Sequence, residues 1–77
     1  MRPDDLVRLW HMLDAIDAAQ RFVEGRARID LDSDEMLLFA LVRAVEIIGE
    51  AAGKVTPDGR ALLPEVPWSA VVGVRNR

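Results

Sequence analysis

MLLFALVRAVEIIGEAAG, residues 36–53, places apolar side chains on almost every side of a helix. The apolar arc covers about two thirds of the circumference, far more than the stripe by which a surface helix meets its core. Glu35, Arg43, Glu46, Glu50 and Lys54 share the narrow strip that remains. A helix of this kind is a central one, and its neighbours must cover it. In a 77-residue chain a single other long helix cannot do so, which predicts a further helix, a second subunit, or both.

Upstream, RPDDLVRLWHMLDAIDAAQRFVEG (residues 2–25) is the other long helix. Asp4 or Asp5 is a candidate N-cap and Gly25 a stop. Leu6, Leu9, Trp10, Leu13, Ile16 and Val23 define one apolar arc, with Arg8, His11 and Ala18 opposite. The linker RARIDLDSDE is polar and leads to a cap at Asp32 or Ser33, with Glu35 in the acidic first turn of the central helix. Downstream, Thr56-Pro57 reads as a cap and first-turn proline opening a short helix. Pro64 and Pro67 close it and restart the chain in PWSAVVGVRNR, where Trp68, Val71, Val72 and Val74 recur at helical spacing. No strand is expected.

Composition narrows the function classes. There is no cysteine, so disulfides and thiolate metal sites are excluded. No apolar run reaches the roughly 18 to 20 residues that cross a bilayer, and the first ten residues lack a signal-peptide core. A cytoplasmic protein with no membrane association is expected. The net charge of −3 argues against a general nucleic-acid binder. Residues 1–34 hold eight acids and five bases, whereas residues 60–77 hold three arginines and one acid, so a polyanion is expected at the C-terminal end.

Few groups can carry chemistry. His11 is the sole histidine, and its place opposite the apolar arc beside Arg8 reads as a solvated surface position. Asp17 and Gln20 lie inside that arc, where a buried polar group needs partners, which predicts a hydrogen-bonded pair at a helix–helix or subunit contact. Glu46 and Glu50 are one turn apart, but no histidine stands at ligand spacing, so a solvated stripe with Glu50 supporting Lys54 is the simpler reading. Gly49 suits close approach of another backbone. Arg75 and Arg77 diverge by about 200° on a helix, so one can face a cleft while the other meets solvent or phosphate.

Taken in order, MLDAIDAAQRFVEG, VRAVEIIGEAAGKV and LLPEVPWSAVVGVRNR resemble the HepT-like branch of the HEPN family over nearly the whole chain. Glu46, Gly49, Glu50 and Ala51, then Pro64, Pro67 and Trp68, then Gly73, Arg75, Asn76 and Arg77 carry the resemblance. It implies an all-α antiparallel helical bundle completed by homodimerisation, with residues 1–77 forming one helical domain that is incomplete at its C-terminus. It implies a toxin of a toxin–antitoxin pair that cleaves RNA with neither metal nor other cofactor and is partnered by a nucleotidyltransferase antitoxin. The family motif is an arginine, a polar residue and, after about three more positions, a histidine. Arg75 and Asn76 match its first two places as catalytic residues, and Arg77 is assigned to RNA binding. The motif histidine would stand three positions beyond Arg77 and is not present, so the 77-residue chain is expected to be inactive. The alternative expectation is a non-catalytic helical partner that positions the substrate of a nucleotidyltransferase.

Overall fold

The computed structural model describes residues 1–73. Five helices follow in order: α1 Pro3–Val23, α2 Asp30–Ser33, α3 Glu35–Gly53, α4 Pro57–Ala61 and α5 Trp68–Gly73. No strand occurs among the described residues, and the all-α expectation holds. The two long helices pack against each other over most of their length, and α2 and α5 both lean on α3. They run antiparallel, because Asp5 at the start of α1 is bonded to Thr56 just beyond the end of α3.

The helix boundaries follow local chemistry. Pro3 occupies the first turn of α1, where its missing N–H leaves nothing unsatisfied. The cap position is Arg2, which makes no side-chain capping bond; neither Asp4 nor Asp5 is the cap that the sequence suggests. Both already lie inside the first turn, and Asp5 is committed elsewhere. Gly25 takes φ 71°, the left-handed conformation that ends a helix and that only glycine adopts freely.

The linker is more ordered than its polarity suggests. Arg26 donates from Nε to Asp30 at 3.3 Å and from an Nη to Asp34 at 2.7 Å, while the Ala27 N–H donates to Asp30 at 2.7 Å. These bonds fold residues 30–33 into the single turn α2. Asp34, not Asp32 or Ser33, then caps α3 by accepting from the Leu37 N–H at 3.0 Å. Asp32 and Ser33 are already inside α2, which is why the cap shifts to the next carboxylate. At α4 the expected cap is found: Thr56 Oγ1 accepts from the Gly59 N–H at 3.2 Å and Pro57 follows.

The core is built from small side chains. Met12 and Ala15 of α1 meet Leu37, Ala44, Ala51 and Ala52 of α3, all buried, with Val55 closing the end. Leu9, Ile48, Trp68, Val71 and Val72 pack around the Met12, Ala51 and Ala52 cluster. The face that α1 buries therefore meets the expected arc only at its edge, through Leu9. Leu6, Trp10 and Leu13 remain 47%, 64% and 55% exposed, while the stripe through Asp5, Met12 and Ala15 is covered. An alanine-lined contact lets two helix axes approach closely, and one neighbour can cover only one stripe. On α3, Leu38, Phe39, Val42 and Val45 are likewise exposed, as the width of its apolar arc predicts.

Candidate functional site

Arg75, Asn76 and Arg77, the residues assigned to catalysis and RNA binding, lie outside the described residues. The structure does describe the seat that holds the helix leading to them. Pro67 stands just before α5, and its carbonyl accepts from the Val71 N–H at 3.0 Å, the first turn of the helix. Trp68 opens α5 and its indole Nε1–H donates to the Leu63 carbonyl at 3.0 Å, tying α5 to the chain that precedes it. Val71 and Val72 press on the cluster at the end of α3, where Val72 faces Gly53.

Arg60 joins the three elements at this end. Its Nε donates to the Val55 carbonyl at 3.1 Å, and an Nη donates to the carbonyls of Ala52 at 3.2 Å and Gly53 at 3.4 Å. Ala52 and Gly53 close α3, and a cation beside their carbonyls complements the negative end of the helix dipole. The same guanidinium lies over the Trp68 ring, 5.7 Å from its centroid. Arg60 counts among the arginines expected to draw a polyanion, yet its fork is spent on backbone carbonyls and an indole. Of the three cations in residues 60–77, it is thus a structural one.

Beneath Arg60 lies a second tie. The Asp5 carboxylate, 1% exposed, accepts from the Thr56 N–H at 2.9 Å and from the Thr56 hydroxyl at 2.6 Å. The Thr56 hydroxyl bond, then the backbone one, holds the Asp5 carboxyl below the usual carboxylate range, against the opposing effect of burial. Nothing in the local sequence marks this pair, because its members are 51 residues apart.

The remaining candidates separate. Asp17 and Gln20 are exposed, since the arc that carries them faces away from α3; Asp17 accepts from Arg21 Nε at 3.2 Å across one helical turn. Glu46 is exposed and Glu50 half-buried, and among the described residues no three His, Asp or Glu side chains converge on a cation site. Glu50 and Lys54 do not approach within ion-pair distance, contrary to the expected support at i,i+4. Gly49 is buried in α3. His11 is exposed, as expected, but it is not isolated. With Arg8, Arg43, Ile47, Glu50 and Lys54 it lines a cavity of about 250 Å³ between α1 and α3. Arg8 and Ala18, expected opposite the packing face, are both half-buried beside α3. The sequence signal for this convergence is weak, since it requires the antiparallel register that sets position 8 beside position 54.

The described residues form an antiparallel helix pair with a third helix seated over the end of the central one, an all-helical domain. The chain belongs to the HepT-like ribonuclease family, whose description, Ribonuclease HepT-like, matches residues 12–77. A protein of Methanocaldococcus jannaschii named "Putative RNase MJ1380" is 37% identical over 68 residues, covering 84% of this chain and 62% of that protein. A protein of Thermococcus cleftensis named "Probable ribonuclease HepT" is 34% identical over 64 residues, covering 83% of this chain and 58% of that protein. The chain thus spans about three fifths of the length of these relatives. No solved structure matches it at a significant level.

Proposed function

We propose that this chain is one helical domain carrying the framework and the arginine half of a metal-independent endoribonuclease centre, of the kind used by the toxin of a toxin–antitoxin pair. The observation that carries the reading is the family match running from α1 through residue 77, together with an α5 whose position is set by Trp68 and Arg60. A helix held at three points is a suitable base for a side chain that must meet one phosphate.

In this reaction the ribose 2′-oxygen loses its proton to a base and bonds to phosphorus, and the 5′-oxygen leaves with a proton. Negative charge grows on the non-bridging oxygens, and Arg75 stabilises it through its bidentate fork. Asn76 positions the phosphate by hydrogen bonding, and Arg77 binds the RNA backbone beyond it. Proton transfer belongs to a histidine at the family spacing. His11, the sole histidine of residues 1–77, sits on α1 and is not that group. The exposed apolar side chains of α1 and α3 support a homodimer, in which two motif helices meet over one cleft.

The test compares RNA cleavage by residues 1–77 with cleavage by a chain extended to carry histidine three positions beyond Arg77. The extended chain is expected to be faster by about 10² to 10⁴, the usual contribution of general acid–base catalysis. Equal rates overturn the roles given to the motif. The second reading is a non-catalytic partner of a nucleotidyltransferase, favoured by the excess of acids, eight against five bases, in residues 1–34. Co-purification with a nucleotidyltransferase, with no cleavage by either length, establishes that reading instead.

A further inference from the structure

We infer that the side of the α1–α3 pair carrying Arg8, Arg43 and Lys54 is a groove for a short stretch of single-stranded RNA, separate from the Arg75 motif. The choice of RNA rests on the ribonuclease reading; the groove rests on geometry. The cavity of about 250 Å³ at Arg8 and Lys54 adjoins one of about 290 Å³, and His11 and Ile47 line both. That one adjoins a third, of about 210 Å³, through Ala15, Ala18 and Ile47, and its wall includes Phe22 and Arg43. Through these shared residues the three form a trough along α1 from Arg8 to Phe22. From position 8 to position 22 a helix rises about 21 Å, the span of a few nucleotides rather than one.

The chemistry changes along the trough in the way a strand requires. At one end Arg8 and Lys54 line the first cavity together with Arg43, which also reaches the third, and among the described residues none of the three lies within 4 Å of a carboxylate. Their donors are available to phosphate oxygens, the two guanidinium forks in bidentate fashion and the ammonium as a point charge. At the other end the floor is Ala15, Ala18, Ala40 and Ala44, flat and apolar, with Phe22 39% exposed beside it. An exposed aromatic ring at the edge of an apolar floor is a stacking platform for a base. Two carboxylates, Glu50 and Asp14, stand in the wall, and they can accept from a ribose 2′-hydroxyl or an exocyclic amine. Three cations against two carboxylates is a local excess of positive charge on a chain whose net charge is −3.

Binding of a fluorescein-labelled hexaribonucleotide to the full 77-residue chain, read by anisotropy, tests the groove without requiring cleavage. With three phosphate contacts, log K against log salt should fall with a slope of about −2, and removing one cation should reduce it by about 0.7. Arg8→Gln with Lys54→Gln, and separately Phe22→Ala, should each weaken binding at least fivefold with the helical circular-dichroism spectrum retained. Arg28→Gln, the same charge change outside the trough, should not. Amide shifts on titration should fall on residues 8–22 and 43–54. AMP or inorganic phosphate competing as well as the hexamer overturns the extended-strand assignment, as does wild-type affinity in the groove variants. If the extended chain cleaves RNA while the groove variants bind and cleave normally, the groove fails and the ribonuclease reading stands. If the hexamer binds in the trough and no length variant cleaves, the reverse holds.

Discussion

The Asp5 carboxylate holds the cap residue of α4, 51 positions away, by accepting both the N–H and the hydroxyl of Thr56 while that hydroxyl accepts from the Gly59 N–H. The chain Asp5, Thr56, Gly59 fastens the start of α1 to the start of α4, and so fixes how α1 lies along α3. Because Asp5 is 1% exposed, removing one partner leaves a buried polar group short of its hydrogen bonds.

Acid should loosen this fastening first. The Asp5 carboxyl is held below its ordinary value mainly by the Thr56 hydroxyl, and Asp34 is held down mainly by Arg26 and then by the Leu37 N–H. A folded-state pKa below the unfolded one contributes stability above the unfolded value, about 3.9 for Asp. That contribution is lost as pH falls through the lowered folded values. Thermal melts by circular dichroism should therefore be flat from neutral pH to about 5 and decline steadily below 4. Asp5→Asn should melt lower than wild type at pH 7, and the gap should close in strong acid; a gap that persists there refutes the assignment.

Two glycines should respond oppositely to alanine. A Cβ on Gly59 would stand 2.5 Å from Asp5 Oδ2 and 3.0 Å from Val55 Cγ1, so Gly59→Ala must displace the buried carboxylate. The cost of such overpacking is about 1–3 kcal/mol. A Cβ on Gly53 would meet only Val72 Cγ1 at 3.8 Å, an ordinary contact, and Gly53→Ala should stabilise by a few tenths to about 1 kcal/mol. Urea titration of both variants measures the two signs.

Arg60 should prove structural. Arg60→Ala removes three carbonyl contacts at the end of α3 and the cation over Trp68, a loss of about 1.5–3 kcal/mol for hydrogen bonds to a charged donor. Arg60→Lys keeps the charge but not the fork and should recover only part. In a Trp10→Phe background, Trp68 fluorescence should become more accessible to acrylamide in Arg60→Ala. Unchanged quenching would show that α5 is seated without it.

The exposed apolar side chains give the proposed dimer a direct test. Trp10→Glu combined with Val42→Glu places charge on the uncovered sides of α1 and α3, where both residues are at least 47% exposed, so the monomer fold should survive. Sedimentation should show dimer for wild type and monomer for the variant. A wild type that is monomeric throughout the accessible concentration range removes the dimer.

Residues 36–53 made a central helix foreseeable, because an apolar arc that wide has no stable place except among neighbours. Thr56-Pro57 and Gly25 marked their boundaries through local backbone chemistry alone, and the order of Glu46, Gly49, Glu50, Pro64 and Trp68 indicated the family. Periodicity could not say which stripe of α1 faces α3. That choice depends on how closely two alanine-lined helices approach, and it turned Trp10 and Leu13 outward while burying Asp5. The Asp5–Thr56 fastening and the approach of Arg8 to Arg43 and Lys54 share one reason for being illegible. Each joins residues far apart in the chain, and only the antiparallel packing of α1 on α3 brings their charges and donors together.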